Sequence, residues 1–349
     1  MLNALIRRYN KYRRGKLLEV FSPGFNKPYA FIGAGIHSLS VLYPVLKHLN
    51  VSLKYIMTRS SEPDEAIRNF YPGAQFVHSI DHIINDPEIA GVFVCTNGGE
   101  HFQLLNSLIK ARKPVFVEKP PCHFLSQLQE LQAASNDLTI CKVGLQRRAW
   151  PANPILKKHL RQATSYTYRF NMGSYPQGDV FSELFIHALD FCNFHFGSFK
   201  ILSATKHPDD QGVTYQLHVQ HNNNLSGLLD LSTKGSWNDP IEEMIVDCTN
   251  EQLELRYPLS VTGTRKPTRI LNMPTERVLQ KPVVLNKYFT VSNLIVPAAD
   301  QNSFFVQGFY GELLHFLQLT SGTNSGEHLR NDLPGLSNIY GIMEEMRKL

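Results

Sequence analysis

Tyr29-Ala30-Phe31-Ile32-Gly33-Ala34-Gly35-Ile36-His37-Ser38 is the stretch on which the fold turns. Four apolar residues run without polar alternation, which marks a strand buried on both faces. The run ends in two glycines, and a helical pattern follows over 38–49. A glycine turn between strand and helix suits a phosphate group. Gly33 allows the tight turn, and Gly35 lets the backbone approach a pyrophosphate at the helix N-terminus. Ile36 and His37 complete the loop, and Ser38 stands where a third glycine would be. Two glycines alone also fit an ordinary turn, so the surrounding chain has to decide.

Working outward, apolar runs at 53–57, 91–96 and 114–117 alternate with helical patterns at 64–70, 101–110 and 125–134. Buried strands separated by helices imply a parallel sheet covered on both faces, the doubly wound Rossmann architecture. This assigns 28–145 to a dinucleotide-binding domain. Past 145 the pattern becomes period-two, as in Tyr215-Gln216-Leu217-His218-Val219, with turn residues at 222–224 and 249–250. Such segments read as antiparallel hairpins. Helical patterns at 309–319 and 336–348 close the chain. The expected fold class is therefore α/β: an N-terminal Rossmann domain and a C-terminal α+β domain, 146–349, for substrate binding and oligomerisation.

The chain has 349 residues, with 35 Lys+Arg against 30 Asp+Glu, a net charge of +5. Residues 1–28 hold seven basic side chains and one acidic one, so this segment carries +6 and the remainder −1. A nearly neutral body argues against nucleic acid as partner. Residues 1–27 form a separate basic arm. Leu2, Leu5, Ile6 and Tyr9 recur at helical spacing with Arg and Lys opposite, and the arm is expected to pack on its own body or an oligomer partner. An anionic membrane surface or acidic partner is the sharper alternative. No stretch has the length and apolarity of a membrane span or a secretory signal. The five cysteines are scattered without a C-x-x-C pair, which points to neither disulfides nor a metal and fits a cytoplasmic setting.

Three further segments carry chemistry. After the second strand, Thr58-Arg59-Ser60 offers hydroxyls and a guanidinium, with no acid before Glu62. This suits the 2′-phosphate of NADP better than the ribose hydroxyl of NAD, which remains the alternative cofactor. Glu118-Lys119-Pro120 ends a strand at the edge where open α/β sheets bind ligands. On a helical register, Glu183 and His187 are four residues apart and share a face, with Asp190 three further on.

With these segments together, the chain resembles the Gfo/Idh/MocA oxidoreductases, the group of glucose–fructose oxidoreductase and inositol dehydrogenases. Gly33–Ser38, Glu118-Lys119-Pro120 and Asp179-x-x-x-Glu183-x-x-x-His187-x-x-Asp190 fall in the family's order and spacing over roughly 28–349. Thr96-Asn97 with His101 resembles the family's Thr-Pro-x-x-x-His, and 144–148 its domain junction. Glu183 stands where the family has Asp, and Phe185 where it has Gly. The resemblance implies a large, mostly antiparallel open sheet in the C-terminal domain, with homo-oligomers, dimers or tetramers, formed through it. It implies catalytic roles for Lys119, His187 and Glu183, and cofactor contacts from Gly33, Gly35, Ile36, His37, Ser38, Thr58, Arg59, Ser60, Thr96, Asn97, His101, Glu118 and Lys119. Substrate contacts are expected from Lys119, Arg148, Glu183 and His187. The implied activity is NAD(P)-dependent hydride transfer at a CH–OH carbon of a sugar, sugar nucleotide or cyclitol. The alternative is a catalytically silent dinucleotide-binding subunit of the same fold.

Overall fold

The computed structural model describes residues 2–19, 25–59, 65–136, 138–175, 178–270, 273–276, 283–291, 303–322 and 330–349. The chain divides into two compact units. The first comprises 1–144, 298–305 and 309–334, and the second 145–297, 306–308 and 335–349.

The first unit is built on six strands, β1 Pro28–Ile32, β2 Ser52–Met57, β3 Gln75–Val77, β4 Val92–Val94, β5 Val115–Glu118 and β6 Cys141–Gly144. They lie in the order β3-β2-β1-β4-β5-β6, and every pairing is parallel. The apolar runs make the central strands: Ala30, Phe31, Val92, Phe93, Val94, Val115 and Val117 are fully buried. Strand order reverses between β1 and β4, so the loops leaving their carboxyl ends diverge and open a crevice. The turn 33–37 leaves β1 there, and Cys95-Thr96-Asn97 leaves β4. Beyond the turn, a π-helical stretch Ser38–Leu42 leads into the helix Tyr43–His48.

One boundary differs from the expectation. The helix Phe309–Ser321, assigned from sequence to the C-terminal domain, belongs to the first unit. Its Tyr310, Leu313, Phe316 and Leu317 join Tyr29, Phe31, Leu46, Phe93 and Phe116 in one core. The physical reason is the sheet's own apolar surface: without this helix, Phe93 and Phe116 would lose the Phe316 ring that packs against both. The backbone at 330–332 also returns, to the edge strand β6. Cys141 N–H donates to the Arg330 carbonyl, and Asp332 N–H to the Cys141 carbonyl. Asp332 is buried, accepting from Lys142 Nζ (2.6 Å) and Val143 N–H (3.0 Å).

The second unit carries an eight-stranded sheet. In chain order the strands are β7 Ala163–Asn171, β8 Phe199–Asp209, β9 Gly212–His221, β10 Ser226–Ser232, β11 Ile241–Cys248, β12 Glu251–Arg256 and β13 Ser260–Arg265, with a last strand Leu285–Thr290 at one edge. All pairings are antiparallel except β10 with β7. Alternation sends Tyr166, Tyr168 and Phe170 to one face, where Tyr166 stacks on Phe196 (4.7 Å between ring centres) and Tyr168 meets Phe191. Both partners lie on the helix Ile186–Phe196, which covers this face. Thr167, Arg169, Leu228 and Ile245 are exposed on the other. Phe185, the bulky residue read near the histidine, is fully buried between Phe170, Phe181 and Tyr215.

Candidate functional site

The glycine turn is dictated by close approach. Gly33 has φ +118°, and a Cβ there would lie 2.0 Å from the Cys95 carbonyl oxygen. Only glycine fits. A Cβ on Gly35 would meet nothing within 4 Å, so that side of the turn is open. Ser38, in place of a third glycine, is fully buried and donates its hydroxyl to the Gly35 carbonyl (2.7 Å), closing the first turn. In front of this turn lies a cavity of about 890 Å³. Its walls include Gly33, Gly35, Ile36, His37, Ser38, Thr58, Arg59, Thr96 and Asn97, nine of the residues read from sequence as cofactor contacts. Ile36 is 87 % exposed, an apolar side chain at the cavity rim. Ser60 lies outside the described residues.

A bare glycine face, a helix start and a cavity of this size are what a dinucleotide requires. Residues not anticipated from sequence complete the walls, among them Cys95, Glu100 and Gln103. Glu100 matters most, because its Oε1 sits 3.1 Å from Arg59 Nη1. It occupies the first turn of the helix Gly98–Lys110. The acid paired with Arg59 thus comes from the start of the helix after β4, and not from the end of β2 where a sequence search looks for one.

His101 is not among the cavity's lining residues, and its role differs from the expected cofactor contact. It is 1 % exposed. Thr96 N–H donates to its Nε2 (3.2 Å), so the proton resides on Nδ1, which donates to the Pro120 carbonyl (2.7 Å). The ring ties the loop after β4 to the loop after β5, and so positions Thr96 and Asn97. Burial pushes its pKa below the ordinary histidine value. A histidine held neutral takes up its proton more readily when the chain unfolds. Its contribution is therefore complete above about pH 6.5 and is lost as pH falls below that. The denaturation midpoint is expected to drop between pH 7.5 and 5.5. Replacing His101 with Asn should flatten that drop in part, since burial lowers His221 in the same direction. An unchanged pH dependence in the variant would exclude this role.

Glu118 is buried, and Gly144 makes room for it: a Cβ there would press on the Glu118 carboxylate at 2.9 Å. Its Oε2 accepts from the Lys119 N–H (3.2 Å), and its Oε1 lies 3.4 Å from His37 Nε2. Glu118 therefore reaches the cavity through His37 without lining it. The Lys119–Pro120 bond is cis. Lys119 is half-buried, and its charge reaches the thiol of Cys95, a wall residue, where it partly offsets the rise that burial and Glu118 impose.

In the second unit, Glu183 lies in a π-helical stretch Phe181–Phe185 that runs into the helix of His187. Its carboxylate accepts from the Tyr175 hydroxyl (2.5 Å) and from the Asp179 N–H (3.4 Å). Gly178, at φ +85°, leaves the space it fills. Burial and the neighbouring Glu183 both push the Tyr175 hydroxyl upward. Asp179 is held below the usual carboxylate range. Burial alone would raise it, but hydrogen bonds from Ser182 and the Arg347 guanidinium outweigh that. His187 is buried (7 % exposed) beside Asp190 on the same helix.

The two adjacent arginines at the start of this unit point to different acids. Arg148 grips Asp190 with Nε (2.9 Å) and Nη2 (2.6 Å). The guanidinium read from sequence as a substrate contact thus holds the helix of His187 in place. Arg147 is buried, donating from Nε (2.7 Å) and Nη2 (2.6 Å) to Glu242, which also accepts from the Tyr168 hydroxyl (2.9 Å). No sequence signal distinguished Arg147 from its neighbour.

Residues 27–144 match the model of the oxidoreductase family with the NAD-binding Rossmann fold, Gfo/Idh/MocA. The chain is 33 % identical over 115 residues to the uncharacterised oxidoreductase YhhX of Escherichia coli (strain K12), covering 32 % of this chain and 33 % of that protein. It is 31 % identical over 120 residues to scyllo-inositol 2-dehydrogenase (NADP(+)) IolW of Bacillus subtilis (strain 168), covering 34 % of this chain and 33 % of that one. The match thus spans about a third of the length of these relatives. Similarity of fold extends further. A dehydrogenase from Chromobacterium violaceum superposes with a TM-score of 0.76 at 14 % identity, over 92 % of this chain and 94 % of the other. UDP-N-acetylglucosamine 3-dehydrogenase GnnA from Acidithiobacillus ferrooxidans does so with 0.70 at 13 %, over 92 % and 97 %. Residues 27–144 thus match the Gfo/Idh/MocA family of oxidoreductases with its NAD-binding Rossmann fold, and along nearly its whole length the chain is similar in fold to these solved structures.

Proposed function

We propose that this protein transfers a hydride between a nicotinamide dinucleotide, preferentially NADP, and a CH–OH carbon of a sugar, sugar nucleotide or cyclitol. The observation that carries the reading is the cavity at the strand-order reversal, with the bare Gly33–Gly35 turn on one side and Arg59 on the other. The names of two similar proteins, one an NADP(+)-dependent inositol dehydrogenase and one a UDP-sugar dehydrogenase, support the substrate class.

The turn and the first helical amides would hold the pyrophosphate, and Arg59 with Thr58 would meet a 2′-phosphate. Bound nicotinamide supplies the hydride chemistry, which the protein does not provide. His187 takes the hydroxyl proton during oxidation and returns it during reduction, a task suited to an imidazole, which can both accept and donate a proton. Lys119 stabilises negative charge developing on the substrate oxygen. Glu183, fixed by Tyr175 and the Asp179 amide, orients the substrate, and Arg148 acts indirectly by anchoring Asp190. The exposed sheet face with Leu228 and Ile245 is the proposed homo-oligomer contact.

Fluorescence titration tests the cofactor assignment. Saturable NADPH binding tighter than NADH is expected. Glu100→Gln removes both the competing partner of Arg59 and a like charge near the phosphate. It should tighten NADPH by roughly tenfold, about 1.4 kcal/mol, and leave NADH unchanged. Preference for NADH would sink the Arg59 assignment, and binding of neither nucleotide would sink the enzyme reading.

A further inference from the structure

The basic arm has no part in the cofactor chemistry. It is a helix, Leu2–Glu19. The sequence favoured packing against the body or an oligomer partner, and residues 4–14 are exposed throughout in the single chain. Leu5 is 60 % and Tyr9 61 % exposed, and Ile6 and Tyr12 are also open. At about 100° per residue, Leu5, Ile6, Tyr9 and Tyr12 fall within an arc of about 120°. Arg7, Arg8, Lys11 and Arg14 fall within an equal arc on the opposite side. Within residues 4–14, Arg13 is the one basic residue to enter the apolar stripe, where a long side chain can lift its charge to the edge.

We propose that this helix docks the protein on an anionic membrane surface, lying in the interface plane with its apolar stripe turned toward the lipid. Charge selects the occupant. The helix carries +5, and residues 29–349 together carry −1, so the chain's positive charge is concentrated here. A lipid surface rich in anionic headgroups complements it. The stripe is narrow and half aromatic, and tyrosine rings favour headgroup depth. Such a helix adheres through charge and shallow apolar contact combined, and does not span. In keeping with this, no described helix is long and apolar enough to cross a membrane.

The test is co-sedimentation of the full chain with vesicles of phosphatidylcholine alone or mixed with phosphatidylserine. Binding is expected only to the mixed vesicles and should collapse at about 0.5 M salt, where screening is short-ranged. Reversing Arg7, Arg8 and Lys11 together to Glu should weaken it by about 100-fold or more. Replacing Leu5, Ile6 and Tyr9 with Ser should weaken it less. Neither set should alter NADPH binding, so failure here is separable from failure of the cofactor assignment. Equal binding to neutral vesicles, no binding to anionic ones, or indifference to charge reversal would overturn the proposal. A change of oligomeric mass in the reversed variant, read by light scattering, would instead assign the helix to assembly.

Discussion

Replacing His187 with Asn is expected to lower turnover by about 10²- to 10⁴-fold while leaving NADPH affinity intact. The cofactor cavity is walled by residues of the first unit, and His187 is not among them. A proton acceptor removed from a fixed position costs its share of the barrier and little else, because Asn conserves size and polarity. Lys119→Met should reduce turnover on a similar scale by withdrawing charge stabilisation. Steady-state assays against UDP-sugars and inositols, paired with fluorescence titration, separate the two quantities. Equal losses of turnover and nucleotide affinity in His187→Asn would indicate a structural histidine and contradict the assignment.

Replacing Glu242 with Ala is expected to cost about 3–5 kcal/mol of stability, enough to unfold many domains. Arg147 is buried between the Tyr257 ring, 4.7 Å from its guanidinium, and that of Phe170. Burial works against its charge, and Glu242 restores it. Remove the carboxylate, and a buried cation is left with aromatic faces alone. The double variant Arg147→Met with Glu242→Leu should recover most of the loss, since a well-packed apolar pair replaces both desolvated ions. Urea denaturation midpoints would decide this. A loss within about 0.5 kcal/mol for Glu242→Ala would place the pair with ordinary surface contacts.

The central strands were legible because burial on both faces leaves a run of apolar residues that no helix period explains. Strands β3 and β6 were not, for Gln75–Val77 and Cys141–Gly144 are too short and mixed to show a period. The long edge strand β8 contains Lys206, His207 and Pro208, and an edge strand bears polar residues and proline because one side lacks a partner. At the site, Gly33 announced itself through the strand that precedes it. Glu100 did not, because its pairing with Arg59 depends on where the switch point brings two loops together. The same holds for Arg147 and Arg148. Neighbours in one 3₁₀ turn, they reach acids 95 and 42 residues away, and only packing reveals which is which.

The return of 309–334 to the first unit has a bearing on how the protein is made. A Rossmann domain at the front of a chain would ordinarily fold while the rest is still being synthesised. Here, Phe93 and Phe116 wait for Phe316, and β6 waits for Asp332, so the first unit can be completed only after residues 316–332 have left the ribosome. Until then the nascent sheet has bare aromatic surface and an unprotected edge. A truncation after residue 145 should behave like that intermediate, sticky and prone to aggregate, and the first unit is in this sense assembled from segments about 200 residues apart.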